Sequence, residues 1–86
     1  MRFLSMKEGA ARLGWSESKA WAASSDDPKL RDPDFPRRVH LGPRMTRLVE
    51  RELTIYQIKL LARRDNIPAN QLDGYIAEKL SQEAAL

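Results

Sequence analysis

Four arginines and the chain's one histidine crowd a single short stretch: Arg37, Arg38, His40, Arg44 and Arg47. No acid falls within residues 35–49. Clustered guanidinium groups with no internal counter-charge suit a polyanion, because planar N–H forks match phosphate oxygens. A merely solvated basic surface is the competing reading. A second group, Ser16, Glu17, Ser18, Lys19 and Trp21, gathers small donors and acceptors on one predicted helix. Hydroxyl, carboxylate and ammonium groups at this spacing can meet base edges or phosphates.

Bulk properties narrow the classes. The chain has 86 residues and a net charge of +3, enough for one modest core. The charge is uneven. Residues 1–49 hold ten Lys/Arg against six Asp/Glu, a balance of +4; residues 50–86 hold five against six, a balance of −1. Apolar residues make up 42% and charged residues 31%, an ordinary globular mix. There is no cysteine, which excludes thiolate metal sites and disulfides and suits the cytoplasm. No apolar run approaches the roughly 18 residues of a membrane span. The N-terminus turns polar within a few residues and does not read as a signal peptide.

Catalysis finds no support. The single histidine has no acidic cluster at metal-ligand spacing. Asp26, Asp27, Asp32 and Asp34 match no calcium-loop pattern. Phosphate-binding glycine loops and nucleophile elbows are missing. The expectation is a non-enzyme with no metal and no cofactor.

The elements that must position the basic residues can be read in order. Ser5-Met6-Lys7-Glu8 is a capping box, and Met6, Ala10 and Leu13 continue at helical spacing to Gly14. This predicts a helix over 5–13. Ser16 is a second N-cap candidate, and Ala20 and Ala23 form a narrow apolar stripe, predicting a helix over 16–25. Gly14-Trp15 between them fits a helix-turn-helix. Residues 25–36 carry three prolines and four aspartates and read as a loop. Residues 37–41 and 44–49 read as a hairpin turning at Gly42-Pro43, with apolar residues on one face and basic ones largely on the other.

Residues 50–64 form a third predicted helix, with acids in its first turn and arginines in its last. It carries two apolar stripes. Leu53, Tyr56 and Leu60 make one; Ile55, Ile58 and Ala62 make the other. Both need cover. After the break at Asp65-Asn66-Ile67-Pro68, a fourth helix over 70–86 has Leu72, Tyr75, Ile76 and Leu80 on one stripe. Ile55, Ile58, Leu72, Tyr75, Ile76 and Leu80 are therefore candidates for packing within the chain or for self-association.

Two segments carry a family likeness. One is Met6-Lys7-Glu8-Gly9-Ala10-Ala11-Arg12-Leu13-Gly14-Trp15-Ser16. The other is Phe35-Pro36-Arg37-Arg38-Val39-His40-Leu41-Gly42-Pro43-Arg44, with Glu50 to Leu53 following as a helix start. The chain resembles the AlpA-like and excisionase-like group of MerR-type winged helix-turn-helix proteins over about residues 3–60. Leu48 stands where that group often has tryptophan. Lys19 and Trp21 replace its commoner threonine and tyrosine, and the loop over 25–36 is longer.

The resemblance implies a mainly α fold with a small β-hairpin. Residues 1–64 would be a winged helix-turn-helix domain and 65–86 a C-terminal helix. It implies double-stranded DNA as partner. The activity would be that of a recombination directionality factor, which bends attachment-site DNA and directs an integrase toward excision. A prophage-type transcriptional regulator is the alternative, and a protein-interaction module is the second. The helix over 16–25 would read the major groove through Ser18 and Lys19, with Glu17 accepting from cytosine or complementing the helix dipole. Ser16 reads first as a cap, Trp15 as core, and Trp21 as either core cap or phosphate donor. Arg38, His40, Arg44 and Arg47 would clamp the backbone or minor groove, while Arg37 pairs equally well with the Asp-rich loop.

Overall fold

A computed structural model describes residues 1–84. It contains four α-helices and a three-stranded antiparallel sheet, a mixed α/β architecture. The elements are β1 (Phe3–Leu4), α1 (Met6–Leu13), α2 (Glu17–Ala23), β2 (Val39–Gly42), β3 (Met45–Val49), α3 (Glu50–Arg64) and α4 (Leu72–Ala84). A 3-10 turn, Ala69–Gln71, precedes α4. The final residues of the predicted fourth helix, Ala85 and Leu86, lie outside the described residues. No helix among the described residues is long and apolar enough to cross a membrane.

Two compact units make up the chain, Met1–Leu53 and Thr54–Leu86. The division falls inside α3. Burial in the first turn of α3 explains part of this, since Leu53 belongs to the core of the first unit.

In the first unit, the capping box forms as the sequence dictates. Ser5 Oγ accepts from the Glu8 amide at 3.0 Å, and Glu8 Oε1 accepts from the Ser5 amide at 3.1 Å. At the other end of α1, Gly14 sits at φ 69°. Its amide donates to the Ala11 carbonyl, and the Trp15 amide donates to the Ala10 carbonyl. This left-handed closure is open to glycine at no steric cost. Ser16 then caps α2, its Oγ accepting from the Lys19 amide at 3.2 Å.

The sheet has the order β1-β3-β2, with β3 central. Phe3 pairs with Val49 and Leu4 with Leu48; on the other edge Val39 pairs with Arg47 and His40 with Thr46. Sequence reading misses β1, because two residues are too short for any alternation to register. It also misplaces the hairpin turn. Gly42 pairs with Met45, so Pro43-Arg44 are the central residues. Among the described residues only Asn66 combines a side chain with positive φ, so this turn is not of the primed kind that matches strand twist. A register shift between His40 and Gly42 accompanies it, leaving Leu41 as the extra residue of a bulge. The expected clean separation of faces therefore fails: Leu41 and Met45 are exposed, while adjacent Leu48 and Val49 are both buried.

Leu4, Met6, Ala10, Ala20, Ala23, Phe35, Leu48, Val49 and Leu53 form the core of this unit. Gly9 faces the centre of it. A Cβ there would stand 2.8 Å from Leu48 Cδ1 and 3.7 Å from Leu53 Cδ2. The Asp-rich loop braces itself through turns. Asp27 Oδ1 accepts from the Lys29 amide, Asp32 Oδ1 from the Asp34 amide, and the Asp32 amide reaches the Ala23 carbonyl. Its end buries Phe35 and Pro36.

In the second unit, α3 closes much as α1 does, with Asn66 at φ 55° in the position glycine holds there. The Asn66 amide donates to the Arg63 carbonyl and the Ile67 amide to the Ala62 carbonyl. Tyr75 on α4 donates its hydroxyl to Asp65 Oδ2 at 3.3 Å. The fourth helix folds back: Thr54, Gln57, Ile58 and Leu61 share a groove with Lys79, Gln82 and Glu83. Of the residues considered for self-association, Ile58 is buried, and Ile55, Leu72, Tyr75, Ile76 and Leu80 are half-buried within the single chain.

Two glycines should respond in opposite ways to alanine. Gly9→Ala gains helix propensity of about 1 kcal/mol but crowds a fully buried leucine, which costs about 1–3 kcal/mol. Urea unfolding should show net destabilisation of about 1 kcal/mol. At Gly74 nothing stands within 4 Å of an added Cβ, so Gly74→Ala should stabilise by about 0.5–1 kcal/mol. The capping box predicts a pH effect as well. The Ser5 amide and then its hydroxyl hold the Glu8 carboxyl below the usual carboxylate range. A carboxylate whose pKa is lower folded than unfolded stabilises above the unfolded value and loses that as pH falls through the folded one. Thermal midpoints of Glu8→Ala and the parent chain should differ at neutral pH and converge in acid.

Candidate nucleic-acid interface

The first unit brings α2 and the hairpin to one cleft. Ser5, Met6 and Lys7 at the start of α1, Glu17 and Trp21 of α2, and Arg44, Thr46 and Arg47 of the hairpin line a cavity of about 340 Å³. Four of the sequence-derived candidates thus meet: Glu17, Trp21, Arg44 and Arg47. Lys7 joins them, although sequence reading places it only within the capping box and the helix opening. Its position in the first turn of a helix that opens beside α2 is what places it there.

The charges in this cleft are mixed. Lys7, Arg44 and Arg47 are set against the Glu17 carboxylate, which also lies in the first turn of α2. Arg47 is half-buried and donates through Nη1 to the Thr46 carbonyl at 3.0 Å. Arg44 is exposed at the hairpin turn. Across the strands, Thr46 Oγ1 and His40 Nδ1 lie 3.2 Å apart, a cross-strand pair in the observed register. Ser18 and Glu17 are exposed on α2. Exposed donors and cations of this kind can bind phosphate oxygens or base edges.

Several candidates have structural work. Ser16 spends its hydroxyl on the α2 cap. Arg38 is more heavily committed. Its Nε donates to the buried Ser24 Oγ at 2.9 Å, its Nη2 donates to the Trp21 carbonyl at 2.6 Å, and its guanidinium lies over the Trp21 ring at 4.7 Å. The last turn of α2 has no basic residue of its own, so Arg38 supplies the cation that the carbonyl end favours. This also settles the posture of Trp21, which keeps 37% exposure beneath the guanidinium. Trp15 is half-buried, stacked on Phe35 with centroids 5.6 Å apart and rings inclined by 17°. Lys19 places its ammonium 4.5 Å from the Trp15 ring centroid. Arg37 is exposed outside the cleft lining.

The remaining early cations include an ion-pair group that the linear sequence hides. Arg12 Nη2 meets Glu50 Oε2 at 2.6 Å, and Arg2 Nη1 approaches the same oxygen at 3.7 Å. The pairing ties α1 and the strand before it to the start of α3. Among the described residues no group of three or more His, Asp or Glu side chains is arranged to hold a metal ion.

Because Arg38 joins the hairpin to α2, Arg38→Ala should lower stability by about 1.5–3 kcal/mol, the range for hydrogen bonds made by charged groups. Arg44→Ala, at an exposed turn, should leave thermal unfolding nearly unchanged. Parallel melts of the two variants check this contrast. In comparisons with known proteins, the chain matches no family model, no curated protein and no solved structure.

Proposed function

We propose that the chain is a sequence-specific DNA-binding protein of the winged helix-turn-helix kind. It acts as an architectural factor that bends attachment-site DNA and directs an integrase toward excision. The observation that carries the DNA reading is the shared cleft. Glu17 and Trp21 of α2 line the same surface as Arg44 and Arg47 of the hairpin. A helix presenting polar residues beside a basic hairpin is the pairing needed for one element to read a groove while the other holds the backbone.

In this reading α2 enters the major groove through Ser18 and Lys19. Lys19 leaves the Trp15 face to reach guanine or a phosphate, and Glu17 accepts from a cytosine amino group. Lys7, Arg44 and Arg47 supply charge along the backbone, His40 lies beside them on the hairpin, and Arg37 extends that surface. Arg38 holds Trp21 and the end of α2 in place for the contact. No covalent chemistry and no cofactor enter the scheme. The architectural role draws on the small size of the unit and on α4, whose half-buried Leu72, Ile76 and Leu80 leave apolar surface for contact between copies on adjacent sites.

Selection of bound duplexes from a random pool should return a recurrent site. On that site, log K should fall linearly with log salt. Arg44→Ala with Arg47→Ala should reduce the slope by about 2, since each lost phosphate contact removes about 0.9. Absence of duplex binding at about 50 mM salt, where such contacts are strong, would overturn the reading.

A further inference from the structure

The tip of the hairpin is apolar. Leu41 is 47% exposed and Met45 50% exposed, and Pro43 between them is exposed as well. The bulge accounts for Leu41. Leu41 has no opposite residue in the ladder, and a bulge re-aims the extra side chain. Gly42 adds no bulk beside it, and Met45 Cβ would lie 3.9 Å from a Cβ at that position. The result is a blunt apolar point carried on a basic hairpin, with Arg44 in the turn itself and His40 beside Leu41.

Exposed apolar side chains taken singly mean little. A leucine and a methionine together at the end of a hairpin whose flanking arginines are all positive are a different matter. A second copy of this chain meeting it tip to tip would bring Arg44 against Arg44, which like-charge repulsion opposes. A polyanion removes that repulsion. The chemistry that accepts both an arginine and an apolar point is the minor groove of duplex DNA. Its narrow stretches attract guanidinium groups, and its base steps admit leucine, methionine or proline as wedges.

We propose that the hairpin tip is a DNA wedge: Leu41 and Met45 enter the minor groove and part a base step, bending the duplex. The proposal rests on the DNA-binding reading above and goes beyond it by naming the residues that would produce the bend. It separates two tasks along one hairpin. Arg44 and Arg47 supply affinity; Leu41 and Met45 supply deformation.

The test uses the full chain and a duplex of about 30 base pairs with a central TA step, which unstacks easily, carrying a donor and an acceptor dye at its ends. Binding by the parent chain should bring the dyes together. Leu41→Ser with Met45→Ser replaces two exposed side chains, so the fold should survive. Circular dichroism verifies this, and single substitutions stand in if the pair does not fold. The double variant should bind within about threefold of the parent while losing at least about half of the change in transfer efficiency, as expected when a wedge is removed and the phosphate contacts stay. Arg44→Ala with Arg47→Ala should do the reverse, weakening binding while each bound duplex stays bent. A double serine variant that bends DNA as the parent does would overturn the wedge and leave DNA binding standing. A parent chain that binds this duplex without bending it would do the same. Loss of self-association by the serine variant with bending intact would identify the tip as a protein contact instead. No binding by the parent chain at about 50 mM salt would overturn the DNA reading and the wedge together.

Discussion

The close approach of Gly9 to Leu48 sets the geometry of the first unit. Leu48 is fully buried on the central strand and pairs with Leu4 on β1. Its side chain occupies the space where any other residue at position 9 would put a Cβ. Helix α1 therefore lies as near the sheet as backbone allows. The α1 closure at Gly14 and the cap at Ser16 then fix where α2 begins, and β3 fixes where the hairpin projects. The cleft between α2 and the hairpin follows from these contacts, although none of its lining residues makes the Gly9–Leu48 contact.

Folding draws on the same cations that a polyanion would use. Arg12 is paired with Glu50, and Arg38 is bound to Ser24 and the Trp21 carbonyl. What remains outward is a narrower set than the basic stretch suggests: Arg37, Arg44 at the turn and Lys7 at the start of α1. A surface ion pair such as Arg12–Glu50 contributes only about 0.2–1 kcal/mol. Its consequence is chiefly one of orientation, holding the first turn of α3 against α1.

Local chemistry was legible in the sequence wherever one residue satisfies a backbone group near it. The capping box of Ser5 and Glu8, the cap at Ser16, the stop at Gly14 and the bounds of α3 all belong to that kind. Features that depend on distant partners were not. The β1 strand consists of two residues and exists only because Leu48 and Val49 offer a partner. Arg38 reads as one more basic residue until the chain brings it to Ser24, fourteen positions earlier. The turn at Pro43-Arg44 and the bulge at Leu41 are coupled, since an unprimed turn fits poorly onto twisted strands, and periodicity carries no mark of that coupling. The Asp-rich loop has the composition of a loop, yet its aspartates work as local acceptors and bring Phe35 to Trp15.

The stacked pair of Trp15 and Phe35 has an effect beyond packing. It offers a fixed aromatic face to the Lys19 ammonium. That face is an internal competitor for the lysine. An exposed contact of this type is worth about 0.5–1 kcal/mol, so any anion drawing Lys19 away binds roughly two- to fivefold more weakly than it would to an unoccupied lysine. The discount falls hardest on loosely placed anions that regain little in return, and least on a partner that positions a good acceptor within reach. The tryptophan thereby acts as a threshold on Lys19, favouring well-aligned contacts over diffuse electrostatic attraction.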